Sequence, residues 1–155
     1  MFGGIINHSG IVRDYSGNQQ DGMVLILETS IAPQVKIGDS VGVNGVCLTV
    51  TKQLDNNQLS FDVWPESLQR TTLTKLNKEQ VVQVDLPLQA GDFIGGHPVL
   101  GHVDYVGTIL SMSTVEEANQ LKIWISLPSE YAALVPARGS IAVDGVSLTV
   151  TGRTK

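Results

Sequence analysis

The sequence predicts an all-β protein built as two similar small barrels in tandem. Three observations carry that prediction. An eight-residue segment recurs 100 positions further on, as 43–50 and 143–150. Short apolar or alternating runs are punctuated by Gly, Asn and Asp clusters, as strands and tight turns require. Val, Ile, Leu, Thr and Gly are plentiful while aromatics make up only 5% of the chain, which suits strands better than helix bundles. With 155 residues, 42% of them hydrophobic and only 16% charged, the chain has enough apolar side chains to bury a core.

The elements follow in order. Ile5 to Val12, Met23 to Leu27, Ser40 to Thr51, Gln58 to Val63 and Val81 to Leu86 read as strands, separated by Ser16-Gly17-Asn18, Gly38-Asp39 and Asp55-Asn56-Asn57. Asn44-Gly45 and Asp144-Gly145 are dipeptides suited to type I′ hairpin turns, where both central residues need positive φ. Each is followed by a run that continues the strand, so a bulge or sharp bend is the competing reading. Helices are few: Glu66 to Leu73, and Glu130 to Val135 with Ser129 as its N-cap. Five or six short strands per copy favour a closed barrel, because closure hides sheet edges.

The repeat sets the organisation. Val43-Asn44-Gly45-Val46-Cys47-Leu48-Thr49-Val50 and Val143-Asp144-Gly145-Val146-Ser147-Leu148-Thr149-Val150 share six of eight residues. A weaker match sets Gly4-Ile5-Ile6-Asn7 through Gly10 against Gly101-His102-Val103-Asp104 through Gly107, 97 positions apart. Two matches in the same order indicate duplication. Such a period is too long for a solenoid repeat, so each copy is a small domain: residues 1–88 and 91–155. The second copy stops early, since counterparts of Leu59 to Val63 and of Val81 to Leu86 would fall past Lys155. The chain therefore reads as a fragment or part of a longer protein.

A formal net charge of −5 argues against nucleic acid, whose phosphates need a basic face. The single cysteine, Cys47, excludes an internal disulfide framework and fits a reducing compartment. The first residues show no signal-peptide pattern, and no run of apolar residues is long enough for a membrane span. A cytoplasmic setting is expected.

Phosphate loops, nucleophile elbows, paired CxxC and HExxH are absent from the sequence. What stands out is Gly95-Gly96-His97-Pro98-Val99-Leu100-Gly101-His102-Val103-Asp104, which holds two of the three histidines. Their odd separation places the rings on opposite faces of an unbroken strand. A zinc site with Cys47 would need a bulge there, and hydrogen-bonded surface histidines are the plainer reading. Cys47 itself reads equally as a small buried hydrophobe, and its counterpart Ser147 is of similar size. Matching polar atoms in two barrels suit two similar ligands. His102 breaks the symmetry, because its counterpart is Ile5.

These segments, with Met1-Phe2-x-Gly4-Ile5 and Glu66-Ser67-Leu68-x-Arg70-Thr71-Thr72-Leu73, resemble riboflavin synthase of the alpha-chain type, a lumazine-binding repeat family. The resemblance runs in order over the whole chain. It implies two Greek-key, six-stranded closed barrels, the second incomplete here, and a C-terminal helix beyond residue 155 that drives assembly of a homotrimer. It also implies a transferase of riboflavin biosynthesis. Two molecules of 6,7-dimethyl-8-ribityllumazine dismutate to riboflavin and 5-amino-6-(D-ribitylamino)uracil, without metal or organic cofactor. Lumazine synthase is a further partner the resemblance admits; nucleic acid and membrane are not.

By resemblance, His102 is the candidate acid/base group, with an imidazole suited to neutral pH. Cys47 and Ser147 assist as hydrogen-bonding groups or nucleophiles. Substrate contacts in the first barrel fall to Gly4, Ile5 and Ile6, to Cys47, Leu48 and Thr49, and to Gly101, His102 and Val103. Asp62, Val63, Trp64, Pro65, Glu66 and Ser67 complete that side. In the second barrel they fall to Ser147, Leu148 and Thr149, with Arg138 reaching in from a neighbouring chain. Gly3 stands where the family has threonine, Leu100 where serine is common, and Arg138 where lysine is frequent. The rival reading is a lumazine-binding antenna protein with the same barrels and no turnover. Relatives of that kind tend to lose the two-histidine segment, which this chain keeps. A plain small-molecule carrier is the more distant alternative.

Overall fold

In the computed structural model, which describes residues 1–116 and 119–154, in-and-out alternation of side chains draws the first six strands into a ring. These are β1 (His8–Asn18), β2 (Gly22–Thr29), β3 (Ser40–Val43), β4 (Val46–Leu54), β5 (Gln58–Val63) and β6 (Val81–Asp85). They close in the order β1-β2-β5-β4-β3-β6, with every neighbouring pair antiparallel. Strands β3, β4 and β5 follow one another as hairpins and β2 lies beside β5, which is a Greek key. Val12, Leu25, Leu27, Val41, Val43, Leu59, Phe61 and Val82 are fully buried inside. Enclosing each such side chain contributes roughly 1.5–3 kcal/mol.

Between β5 and β6 the chain runs through α1 (Pro65–Arg70) and a 3₁₀ turn, Thr72–Lys75. Pro65 sits in the first turn of α1, where its missing N–H leaves no helical bond unmade. The Thr71 hydroxyl then accepts from the Leu73 N–H, so the helix expected over 66–73 divides in two. Leu68 and Leu73 join the barrel core.

Three other expectations are corrected. Ser16-Gly17-Asn18 does not end its strand: β1 pairs with β2 as far as Asn18, and the turn lies beyond it. There the Asn18 side chain accepts from the N–H groups of Gln20 and Asp21. The run from Ser40 to Thr51 is two strands, not one bent strand. Asn44 and Gly45 have φ of 46° and 79°, and Val43 pairs with Val46 across a two-residue type I′ turn. The segment near Glu130 is a 3₁₀ helix, Ser129–Leu134, whose N-cap is Pro128, with no side-chain cap.

The second copy contributes β7 (Ile109–Val115), β8 (Gln120–Ile125), β9 (Ser140–Val143) and β10 (Val146–Thr149), as two separate antiparallel pairs, β7–β8 and β9–β10. Taking β5 and β6 out of the ring leaves the corresponding pairs, β1–β2 and β3–β4. The repeat extends to irregularities: β1 shifts register at Arg13 and β7 at Leu110, 97 positions on. Asp144 and Gly145, with φ of 47° and 85°, form the same hairpin turn as Asn44-Gly45. Apolar side chains of this half, among them Ile109, Leu110, Met112 and Leu121, stand exposed. That fits an incomplete second barrel. Among the described residues no helix is long and apolar enough to cross a membrane.

Candidate functional site at the junction of the two repeats

Two short straps join the repeats. Phe2 and Val99, which are counterparts in the repeat, exchange both backbone hydrogen bonds, at 2.7 and 2.9 Å. Both side chains are buried. Two counterparts that pair with each other in antiparallel fashion mark a local two-fold axis. The same symmetry governs the next contacts. The Cys47 N–H donates to the Gly101 carbonyl at 2.8 Å, and the Ser147 N–H donates to the Gly4 carbonyl at 2.8 Å.

Close approach explains the glycines on this axis. Gly4 and Gly101 have φ of 71° and 81°, and a Cβ on either would lie 2.7 Å from the Cβ of Ser147 or Cys47. Gly45 and Gly145 bring the two hairpin turns back to back: a Cβ on Gly145 would lie 2.8 Å from the Gly45 Cα. Each strap is thus laid against the polar side chain of the opposite repeat. Cys47 and Ser147 are both half-buried, within reach of solvent but held from behind.

The first-repeat side gathers Cys47, Gly101, His102 and Val103. His102 is exposed beside Gly101, and Val103 packs on the barrel core. Leu48 is buried under the site while Thr49 faces out. Asp62, Trp64 and Glu66 are exposed at the end of β5 and the start of α1, with Val63 buried, Pro65 and Ser67 half-buried, and the Trp64 indole 68% exposed. The second-repeat side gathers Ser147 with Gly4. Ile5 and Leu148 are exposed, Ile6 is half-buried with its Cδ1 near Gly145, and Thr149 is exposed.

Sequence reasoning missed the partner of Ser147. His97 Nδ1 lies 2.6 Å from Ser147 Oγ. With the ring proton on Nε2, the hydroxyl donates to Nδ1, which orients Ser147 and makes its oxygen more nucleophilic. The signal lay in Gly95-Gly96: a Cβ on Gly96 would meet the Gly3 carbonyl oxygen at 2.5 Å and Ser147 Cβ at 2.6 Å. The glycine therefore lets the His97 strap reach the serine. Among the described residues no three His, Cys, Asp or Glu side chains stand together as metal ligands, and His97 instead bonds to the serine of the second repeat.

Arg138 is exposed and remote from His97 in sequence, on the turn that enters β9. Its φ is 68°, and its counterpart Gly38 has φ of 92°; both donate their N–H to the equivalent Val150 and Val50 carbonyls. An arginine thus holds a conformation that favours glycine, at a cost of about 1 kcal/mol or more.

The fold and this junction define an internally repeated β protein with one closed six-stranded barrel, in which Cys47 and Ser147 take equivalent positions in the two repeats. The lumazine-binding domain family matches residues 3–86 and 100–155. Riboflavin synthase of Bacillus amyloliquefaciens is 36% identical over 152 residues, covering 98% of this chain and 69% of its own length. Riboflavin synthase of Mycobacterium tuberculosis (strain CDC 1551 / Oshkosh) is 36% identical over 152 residues, with 98% and 75% covered. The crystal structure of LumP complexed with 6,7-dimethyl-8-(1′-D-ribityl) lumazine superposes with a TM-score of 0.84 at 24% identity, covering 100% of this chain and 82% of that one. LumP complexed with riboflavin gives a TM-score of 0.82 at 25% identity, covering 96% and 79%. The chain therefore belongs to the riboflavin synthase family of lumazine-binding proteins.

Proposed function

We propose that the protein is a riboflavin synthase, a transferase that dismutates two molecules of 6,7-dimethyl-8-ribityllumazine. One molecule passes a four-carbon unit to the other, giving riboflavin and 5-amino-6-(D-ribitylamino)uracil. The observation that carries this reading is the local two-fold axis, which places Cys47 and Ser147 in equivalent settings, each against a strap of the other repeat. Two like sites suit a reaction between two identical molecules. Relatives named riboflavin synthase support it.

In this reading His102 takes the proton from the acidic C7 methyl of one of the two molecules. Ser147, polarised by His97, or Cys47 adds to the partner ring or activates the water that does. Residues 1–88 form one lumazine-binding unit and residues 91–155 most of a second. The remaining substrate contacts are those assigned in the sequence, with Arg138 supplied by a neighbouring subunit of a homotrimer in the cytoplasm. An antenna reading is supported by the LumP structures, in which that protein is complexed with 6,7-dimethyl-8-(1′-D-ribityl) lumazine or riboflavin.

Incubation with 6,7-dimethyl-8-ribityllumazine alone separates the two. Riboflavin should accumulate without added metal or nucleotide. A stable, fluorescent lumazine complex with no product would establish the antenna. His102→Gln should lower kcat by about 10²–10⁴ with little change in binding. Turnover within about threefold of the parent would remove His102 from the acid/base role.

A further inference from the structure

The five residues from His97 to Gly101 reach both sites. At one end His97 Nδ1 lies 2.6 Å from Ser147 Oγ of the second repeat. At the other the Gly101 carbonyl accepts from the Cys47 N–H of the first, at 2.8 Å. Midway between them Val99 is buried and exchanges both backbone hydrogen bonds with Phe2. Phe2 has the same double attachment. Its ring lies against Gly101 and Gly42, where a Cβ would meet it at 3.0 and 3.4 Å, and Gly42 pairs with Cys47. Two residues further on, the Gly4 carbonyl accepts from the Ser147 N–H. A strap that shifts at one site therefore pulls on its hold at the other.

The composition of the straps gives the sign of this linkage. Gly3, Gly4, Gly95, Gly96 and Gly101 leave the strap ends free to turn, and glycine loses the most conformational freedom when it is ordered. Between His97 and Val99, Pro98 has a fixed φ and keeps the segment stiff. A ligand that orders one strap end thus orders the pair, and a second ligand is spared that cost. We propose that the Phe2–Val99 pair is a positioning element shared by the two sites and couples them, so that filling either site raises the affinity of the other. The back-to-back turns at Gly45 and Gly145 offer a second route between the repeats, which cutting the strap pair leaves intact. The coupling rests on the function proposed above for the identity of the ligand, but not for the linkage of the straps.

Riboflavin is the probe, and amide hydrogen exchange at Cys47 and Ser147 reports the two sites separately. The full chain should give a sigmoidal titration, the second site filling with an intrinsic affinity about tenfold above the first. Occupancy of one site alone should still protect the amide of the other. Val99→Pro removes the N–H that donates to Phe2 and leaves the turns in contact. Its titration should lose the sigmoidal shape and each amide should follow its own site, while the amides of Leu59 and Phe61 hold. Coupling that persists in a folded Val99→Pro protein, or independent or antagonistic sites in the parent, would overturn the proposal. Should Val99→Pro fail to fold, Pro98→Gly loosens the same segment at an exposed position, and unchanged coupling there overturns it as well. If riboflavin binds at neither site, the function reading falls and the linkage is read without ligand. Cys47→Met then enlarges the side chain laid against Gly101, and should change exchange at Ser147 severalfold while leaving Val146, in the hairpin with Val143, as it was. No change at Ser147, or an equal change at Val146, overturns the linkage itself.

Discussion

Tyr15 shows how far a single buried polar atom can steer stability. Its ring packs against the barrel core while its hydroxyl is buried with no partner. Burial disfavours the charged phenolate and raises the group from 10.0 to about 12. The folded state therefore holds the phenol proton more tightly than the unfolded chain does. The stability linked to it is fully present below the unfolded value, and is lost as pH rises from about 10 towards about 12. Tyr15→Phe should remove that alkaline decline. At neutral pH it should leave stability equal or higher by about 1 kcal/mol, since it deletes an unsatisfied hydroxyl. Urea midpoints measured near neutrality and within the alkaline window would check this. An identical alkaline decline in the variant would assign it to another group. Arg138 is the opposite case, a residue kept in a left-handed conformation where its counterpart is Gly38. Local strain held at an exposed arginine points to a role for its side chain.

At the scale of the element, the paired hairpin turns carry more than their own strands. Asn44-Gly45 and Asp144-Gly145 satisfy the same positive φ angles and then pack on one another across the local two-fold axis. Gly38, also at positive φ, has open space where a Cβ would go. Gly38→Ala should therefore cost only the backbone strain, about 1 kcal/mol. Gly45→Ala adds a clash with the backbone of Gly145 and should cost about 2–4 kcal/mol in total. Denaturant unfolding of both variants would test the difference, and equal losses would mean the turns part without cost. The dipeptides were legible in the sequence because type I′ turns have few alternatives. Their mutual packing was not, since a contact 100 residues apart leaves no local pattern. The strands of the first barrel were legible as short apolar or alternating runs, as in Leu25 and Leu27 of β2, and its closure followed from the need to hide sheet edges; their register was not. The end of β1 was misplaced because Ser16-Gly17-Asn18 has turn composition, yet its backbone groups pair with β2. Cys47 and Ser147 emerged from the repeat itself. His97 did not, because a hydrogen bond to a side chain 50 residues away is written in geometry alone.

For the molecule as a whole, stability is unevenly shared between the copies. Among the described residues, the fully enclosed large side chains belong to the first ring and its connecting segments, between Val12 and Val84. The second copy presents exposed apolar residues on β7 and β8, and ladders with unpaired edges. Separating the copies would cost the first one the Phe2–Val99 pair and the Cys47 bond to Gly101, a few hydrogen bonds at its rim. Each contributes about 1 kcal/mol net, small beside the core it leaves intact. A protein of residues 1–88 should therefore fold alone, with a strand-type circular dichroism spectrum and a cooperative unfolding transition. It should bind lumazine or riboflavin and turn over slowly or not at all, because Ser147 and His97 are gone. Residues 91–155 alone keep two hairpins with no shared core, and open edges of that kind aggregate. That piece should be unfolded or aggregated at concentrations where the first is monomeric or paired with itself. Its aggregation should be relieved when residues 1–88 are added in trans, since the straps then recover their partners. A well-folded, monomeric 91–155 segment would contradict this division of stability. An active isolated first barrel would place the reaction in one repeat and remove the need for two equivalent sites.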